Sequence, residues 1–316
     1  DRHTVELEFR GGVNDPYFVG ARIEIVDDKD RAHRATVRSL DANAKPFKRV
    51  IVHATGGTSG IAAGDIGRWA LPKPRIAGRG AKRLLHTHAC DDLAAVAAAL
   101  CAFDAVAGKD GLGHVCILFT LAEEVGFIGT IAAARGGDLP RDARLVCLEN
   151  SRSFAESPIG AGPILRVGDR LTVFSPVLTN RLGMIYTEHQ KSEPAFRFQR
   201  KLMSGGACEA SAFAEYGYQS TCLCLPLGNY HNMSDIDGVA AGARPAKVGS
   251  EFISVADFHG LVDMLLVTAR LLDSASVPPF RERLEGLLAA HRDLLSGPNN
   301  LGEPVAPDAL ARRRFP

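Results

Sequence analysis

Hydrophobic and polar residues alternate along the first quarter of the chain. The alternating runs are VELEF, ARIEIV, ATVRSL and RVIVHA, and turn-rich segments such as GGVNDP, DDKD and TGGTSG separate them. A period of two is typical of β-strands that bury one face. The pattern predicts a small β-rich, barrel-like module over residues 1–83. Its last segment, LPKPRIAGRGAKR, is suited to a connection into another domain.

The hydrophobic pattern changes after this module. Residues 92–107 are rich in Ala and Leu and predict a helix, whereas residues 115–121 form a continuous apolar run that predicts a buried strand. Further helices are predicted over 126–135, 207–216 and 255–272, and further strands over 145–148 and 220–225. Strands separated by helices favour a three-layer α/β/α sandwich with a mixed, largely parallel sheet in a domain of residues 84–316. We expect residues 296–316 to be loosely structured.

Composition and charge limit the binding partners and the cellular location that we expect for the protein. A formal charge of +1 provides no field that would attract nucleic acid, and no apolar stretch reaches the roughly 20 residues that cross a bilayer. The first ten residues alternate charged and apolar side chains, unlike a secretory signal. Most of the seven cysteines lie in apolar runs, which is typical of buried, reduced thiols. We therefore expect a cytoplasmic protein without a nucleic-acid or membrane partner.

Acidic residues stand where predicted apolar strands end. Glu123-Glu124 follows CILFTL, Glu149 follows LVCL, and Asp91-Asp92 precedes the first predicted helix. Strand ends on one edge of an α/β sheet converge, and a divalent cation is the usual compensation for converging carboxylates. Taken alone, Asp91-Asp92 and Glu149 are better explained as helix caps or residues of solvated turns. Two adjacent glutamates between an apolar strand and Val125-Gly126 are harder to explain in that way.

The adjacent glutamates indicate hydrolytic chemistry. One of them can bind a metal while the other faces a water that the metal activates. The remaining group expected in such a site is an imidazole ligand. His231 provides one in the loop GNYHN after the strand TCLCLP. A single loop histidine is more often exposed than ligating, but four carboxylates favour the ligating role here.

The ordered motifs resemble those of the tetrahedral, TET-type aminopeptidases and related dinuclear zinc exopeptidases. The matching segments are CDDLAAVAAAL, FTLAEEVGFIGT, LVCLEN and SGGACEASAFAEYGYQSTCLCLPLGNYHNMSD. The resemblance implies that Asp91 bridges two metals, with a cis peptide to Asp92. It makes Glu123 the general base and Glu124 a ligand of one metal. It assigns Glu149 to the other metal and His231 as the last ligand.

The same resemblance implies an aminopeptidase that binds two divalent ions, zinc or cobalt, and acts on the free N-terminus of a peptide. FRGGVNDPYFVGARIEI resembles the start of a domain that the family inserts within its catalytic domain and uses to build dimers and larger closed shells. We therefore expect a homo-oligomer. The preferred N-terminal residue does not follow from the sequence.

The chain departs from the family pattern at three places. Cys208-Glu209 replaces the common Thr-Asp, and residues 232–235 replace Ser-Pro-x-Glu. The family's first ligand, a His in a His-x-Asp motif, would lie before the β-rich module. Because the chain starts without Met and inside that module, we expect a preceding segment that supplies this ligand. His86 and His88 form a His-x-His pair that is an alternative source.

Two other functions stay open from the sequence. The chain could be a catalytically incomplete homologue that acts as a structural or binding assembly, which the missing ligand favours and the retained Glu123-Glu124 pair disfavours. The same site could also hydrolyse a non-peptide amide.

Overall fold

The computed structural model describes residues 2–137, 139–274 and 276–295, which form a mixed α/β fold. The strands are β1 (Thr4–Phe9), β2 (Arg22–Val26), β3 (Ala32–Asp41), β4 (Lys48–Ala54), β5 (Ile66–Trp69), β6 (Arg75–Ala77), β7 (Leu84–Thr87), β8 (Arg144–Arg152), β9 (Ile164–Asp169), β10 (Gln199–Met203), β11 (Gln219–Leu227), β12 (Met233–Ser234), β13 (Lys247–Val248) and β14 (Glu251–Ser254). The helices are α1 (Leu93–Val106), α2 (Ile128–Gly136), α3 (Pro176–Ser192), α4 (Glu209–Glu215), α5 (Ile236–Ala240), α6 (Val255–Leu271) and α7 (Phe280–Ala290).

The alternating N-terminal runs form an antiparallel five-stranded sheet with the order β1-β4-β3-β2-β5. Alternate residues of β2 and β4 are buried, as period-two alternation requires, whereas β1 and β5 contain only partly buried and exposed residues. The buried side chains form a core that includes Phe18, Ile25 and Val52, together with Met233 from the distant β12. The strands predicted for this module are confirmed, and the module shares its core with the later part of the chain.

A second, four-stranded sheet has the order β10-β9-β11-β8. The β10–β9 and β11–β8 pairs are parallel, whereas β11 and β9 are antiparallel, so the sheet is mixed as predicted. β11 is buried along nearly its whole length and contacts α3, α4 and α6, while α1 contacts β8 and α6. A third sheet, β14-β7-β6, joins residues on both sides of the expected domain boundary near residue 83.

The predicted strand over residues 115–121 is wrong. Residues 115–120 have no regular secondary structure, and Leu118, Phe119 and Leu121 are 47%, 55% and 81% exposed. A continuous apolar run indicates a strand only if a neighbouring strand accepts its backbone hydrogen bonds, and no described strand pairs with this segment. The other predicted helices and strands between residues 84 and 272 are confirmed within a few residues of their ends.

The chain divides into two compact units, residues 1–273 and 274–316. Every residue of the candidate site lies in the first unit. Within the second, the described residues form α7 and a short 3-10 helix over Arg292–Leu295. The predicted loose segment 296–316 lies outside the described residues. None of the described helices is both long and apolar enough to cross a membrane.

Candidate metal centre

Asp91 and Asp92 lie between β7 and α1 and are held from two sides. The Asp91 backbone N–H donates to Glu251 Oε2 at 3.0 Å, and Asn150 Nδ2 donates to Asp92 Oδ1 at 3.2 Å. Asn150 Nδ2 also donates to the carbonyl oxygen of Cys90. The peptide between Asp91 and Asp92 is cis, as the resemblance implies. Strands β8 and β14 therefore position this pair.

Glu123 and Glu124 lie on a single 3-10 turn, Glu123–Val125. Residues in the left-handed region flank it, Ala122 at φ 57° and Phe127 at φ 60°. This backbone is uncommon for residues other than glycine. The two glutamates differ in exposure, since Glu123 is half-buried and the Glu124 side chain is 45% exposed. Such a division is suited to a base beside a metal ligand.

Glu209 anchors the segment that carries these glutamates. The hydroxyl groups of Thr120 and Thr130 both donate to Glu209 Oε1 at the start of α4. The sequence singled out Glu209 only as a departure from the family pattern. The two threonines that flank LAEEVGFIG were the available signal, but the sequence alone does not place Glu209 beside them.

His231 lies in the loop between β11 and β12. Asn229, His231 and Asn232 all have φ between 52° and 63°, and the side chains of the two asparagines bond to backbone carbonyls of residues 88, 249 and 250. His231 Nδ1 lies 2.7 Å from the carbonyl oxygen of Gly12. With the hydrogen on Nδ1, that nitrogen donates to Gly12 and leaves the Nε2 lone pair free. A Cβ at Gly12 would lie 2.7 Å from the imidazole, so glycine permits this close approach.

Three of the predicted ligands converge. His231 Nε2 lies 3.5 Å from Asp91 Oδ2 and 3.8 Å from Glu124 Oε2, and one ligand atom from each residue lies within 4.8 Å of the others. Ligand atoms on one tetrahedral zinc ion are roughly 3.4 Å apart, given its bond lengths of about 2.1 Å. The donor set and its spacing therefore fit a divalent metal.

Glu149 lies outside this three-residue group. It is buried within β8, which continues three residues beyond it, so it does not mark the end of a strand as the sequence indicated. Burial raises the pKa of Glu149 well above its usual range, and the Asp91 carboxylate raises it further.

The ionisation of the site reflects its excess of acidic groups. Burial, followed by the charges of Glu124 and Asp91, raises the pKa of Glu123 to about 8. The pKa of Glu124 is raised by burial and by Asp91. Burial alone would lower the pKa of His231, but hydrogen bonding to Asp91 and Gly12 raises it to about 9. Buried like charges favour a bound cation.

His86 and His88 are separate from the three-residue group. The His86 ring lies 5.2 Å from that of Phe252, and its pKa is lowered by burial and by Arg75. The backbone carbonyl of His88 accepts from Asn232 Nδ2. Neither histidine belongs to the clustered ligand atoms.

A narrow cavity next to Glu149 is lined by two residues that the sequence analysis did not identify as functional. Its lining includes Arg166, Tyr230 and the backbone of Gly205 and Gly206. Arg166 comes from β9 and Tyr230 from the loop that carries His231. No local sequence signal marks either residue, because the cavity arises only from tertiary packing.

Arg166 is a buried cation with incomplete hydrogen bonding. Arg166 is 1% exposed, and its Nη1 donates to Ser151 Oγ at 3.1 Å. Among the described residues, Nε and Nη2 have no hydrogen-bond acceptor. Asp169 Oδ2 is 3.9 Å from Nη2 and already accepts from Cys208 N and Ser211 Oγ. Leaving such groups unpaired is costly, by roughly 1–3 kcal/mol or more each.

Comparison with known proteins places the chain in a family. The model of the M42 glutamyl aminopeptidases matches residues 56–244, more than half of the chain. No curated protein matches the sequence.

Several solved structures have a similar fold at low identity. A TET aminopeptidase from a marine sediment thaumarchaeon is 18% identical with a TM-score of 0.60, and the match covers 84% of this chain and 74% of the other. An aminopeptidase from Desulfurococcus kamchatkensis is 17% identical, with a TM-score of 0.59 and coverage of 84% and 75%. The TET1 peptidase of Pyrococcus horikoshii is 19% identical, with a TM-score of 0.56 and coverage of 84% and 76%.

Proposed function

We propose that this chain, which belongs to the M42 glutamyl aminopeptidase family, is a metal-dependent aminopeptidase that removes N-terminal residues from peptides. The observation that carries the proposal is the convergence of Asp91, Glu124 and His231 beside Glu123. A merely structural role would not require two carboxylates, an imidazole and an adjacent acid of raised pKa at one position.

Each residue has a stated role in the proposed reaction. Asp91, Glu124 and His231 would hold one divalent ion, and Asp91 and Glu149 would hold a second. A bound Zn²⁺ or Co²⁺ lowers the pKa of water and polarises a carbonyl group. Glu123 takes a proton from the attacking water and returns it to the nitrogen of the leaving amine. Its position next to Glu124 and its raised pKa support this role as the general base.

Glu123→Gln tests the role of the base. The amide keeps the size of the side chain but cannot accept the proton, so kcat should fall by about 10²-fold or more. Metal content by elemental analysis and peptide hydrolysis by chromatography should be measured together. Asp91→Ala is the comparison, because it should lose metal and activity together.

Near-normal turnover in Glu123→Gln would contradict the assignment. An unsubstituted, metal-loaded protein that releases no amino acid from any short peptide would instead favour a structural or binding homologue. Turnover of non-peptide amides, without turnover of peptides, would favour a hydrolase of such amides.

We further propose that an acidic N-terminal residue is preferred. The family description names glutamyl substrates, and Arg166 is the residue of this chain that is suited to recognise such a side chain. Arg166 lines a narrow cavity together with Glu149, a proposed metal ligand, and its Nε and Nη2 have no hydrogen-bond acceptor among the described residues, although Asp169 lies 3.9 Å from Nη2. A substrate carboxylate would supply the acceptors that Arg166 lacks, and guanidinium groups pair well with carboxylates.

Arg166→Met tests this preference with a side chain of similar length. The variant should lose at least about tenfold in kcat/KM for N-terminal Glu and Asp relative to Leu, while retaining hydrolysis of neutral substrates. Arg152→Gln is the control, because Arg152 lines the same cavity but pairs with Asp237 at 2.5 Å. If the ratio of kcat/KM for acidic to neutral N-terminal residues were the same in Arg166→Met as in the unsubstituted protein, the proposal would be contradicted.

We propose a homo-oligomeric assembly in the cytoplasm. The similar TET1 peptidase of Pyrococcus horikoshii can assemble into a tetrahedron or a large octahedral shell, which supports an oligomer here. All seven cysteines are free in the structure, and five of them are buried, which is compatible with a reducing compartment.

A further inference from the structure

We propose that Tyr230 is a second catalytic residue, whose hydroxyl group donates a hydrogen bond to the carbonyl oxygen of the scissile peptide as its carbon becomes tetrahedral. This role rests on the proposed aminopeptidase function and adds a residue outside the acidic and imidazole groups described above.

The backbone fixes Tyr230 beside a proposed metal ligand. The rings of Tyr230 and His231 are stacked with centroids 3.8 Å apart and an angle of 24°. The Tyr230 ring also packs against the core of the five-stranded sheet. Since the ring contacts both His231 and this core, packing within the fold restricts the direction of the hydroxyl group.

The hydroxyl group of Tyr230 faces the cavity next to Glu149. A Cβ placed on Gly206 would lie 3.5 Å from the hydroxyl oxygen, so the oxygen is close to the backbone of the Gly205-Gly206 segment. Glycine keeps this space open at residue 206. The hydroxyl group therefore lies at a space that Glu149, a proposed metal ligand, also lines.

This hydroxyl group has no hydrogen-bond partner among the described residues. Three other tyrosines are different: Tyr17 donates to Ser234 O, Tyr218 donates to Leu139 O, and Tyr186 bonds to Thr268 Oγ1. A partly buried tyrosine hydroxyl usually finds a partner in the fold. The donor of Tyr230 is thus available to a ligand, and it costs nothing in reorganisation when the ligand binds.

The proposed step balances. Water adds to the carbonyl carbon, its proton passes to Glu123, and the π electron pair moves onto the carbonyl oxygen. The Tyr230 O–H stabilises the negative charge on that oxygen without giving up its proton. When the C=O bond reforms, the C–N bond breaks, and Glu123 delivers the proton to the amine nitrogen. Tyr230 is unchanged at the end.

Tyr230→Phe tests the role by removing only the hydroxyl group. We expect kcat to fall by about 10²-fold, as for other single donors to an oxyanion, with KM and metal content unchanged. The midpoint of thermal unfolding of the metal-free protein should also stay the same, because the hydroxyl group bonds to no described residue. Tyr218→Phe is the matched control, and its turnover should be unchanged although it loses the bond to Leu139.

A second readout separates transition-state stabilisation from substrate binding. The affinity for a phosphinic peptide, which mimics the tetrahedral carbon, should fall by about the same factor as kcat, while the affinity for the product amino acid stays constant. Turnover within about threefold of normal, or a loss confined to KM or metal content, would overturn the role. If the unsubstituted protein hydrolyses no peptide, the proposed function fails and this role fails with it. Hydrolysis that Tyr230→Phe retains refutes only the role of Tyr230.

Discussion

At the scale of single residues, the charges of the acidic cluster favour a bound cation. His231 has a pKa of about 9 because burial is outweighed by hydrogen bonding to Asp91 and Gly12, so its imidazole is protonated at neutral pH in the metal-free protein. A metal can bind only to the neutral imidazole. Under the proposed function, the imidazolium is the local counter-charge of the metal-free site, and a bound metal would replace its proton.

This competition predicts that metal affinity depends on pH. Below about pH 9 each higher pH unit should raise the affinity by up to about tenfold, because less of His231 is protonated, and the rise should level off above that pKa. Titration with Co²⁺ against a competing chelator between pH 6 and pH 9.5 would measure it. Calorimetry in two buffers of different ionisation enthalpy should detect at least one released proton. A Co²⁺ affinity that does not change with pH, together with no proton release on binding, would show that His231 is not a ligand.

Among the structural elements, the turn that carries Glu123 depends on α4. Glu209 accepts from Thr120 and Thr130, which lie on either side of that turn. Thr130 is fully buried, so its hydroxyl group has no access to water as a substitute partner. We interpret Glu209 as a positioning residue for the turn.

Glu209→Ala should lower kcat by about tenfold and leave KM nearly unchanged, because the general base shifts while the cavity stays intact. Thr130→Val should lower kcat as well. In the double variant Glu209→Ala/Thr130→Val, the fall in kcat should be smaller than the two single effects combined, since both substitutions remove the same hydrogen bond. Thr172→Val is the control, because the one bond of that hydroxyl group to a described residue is to the neighbouring Val173 carbonyl. Strictly additive losses would contradict the coupling.

The elements also show what the sequence could predict. Period-two runs gave the strands of the N-terminal sheet, and the Ala-rich run gave α1, because local periodicity encodes which face is buried. Residues 115–121 misled the prediction, since a strand depends on a pairing partner that the segment itself does not encode. Glu149 was placed at a strand end for the same reason, although pairing with β11 extends β8 to Arg152.

The candidate site was predictable in part. Acidic motifs and the loop histidine indicated Asp91, Glu124 and His231, and the structure brings these three together. Their roles as ligands stay predictions. Arg166 was missed because it belongs to no motif, and Tyr230 was missed because only His231 was assigned a role in the segment GNYHN. Their cavity forms between β9 and the loop after β11. Unsatisfied hydrogen bonding in a packed structure revealed Arg166.

For the molecule as a whole, the N-terminal sheet and the mixed sheet act together to form the site. Gly12 orients His231, Met233 lies in the core of the N-terminal sheet, and Tyr17 donates to Ser234 O at 2.8 Å. Both sheets belong to the compact unit of residues 1–273. The α/β class predicted from the sequence is confirmed, and the predicted module contributes directly to the candidate metal centre.

The release of N-terminal residues by metal-loaded and metal-free protein tests the central claim most directly. A peptide with a free amino terminus and its acetylated counterpart should be incubated with each form and followed by mass spectrometry. The proposed function predicts stepwise loss of residues from the free peptide with Co²⁺ or Zn²⁺, at least about 10²-fold slower loss after metal removal, and no cleavage of the acetylated peptide. Equal cleavage with and without metal, or cleavage within the acetylated peptide, would contradict it.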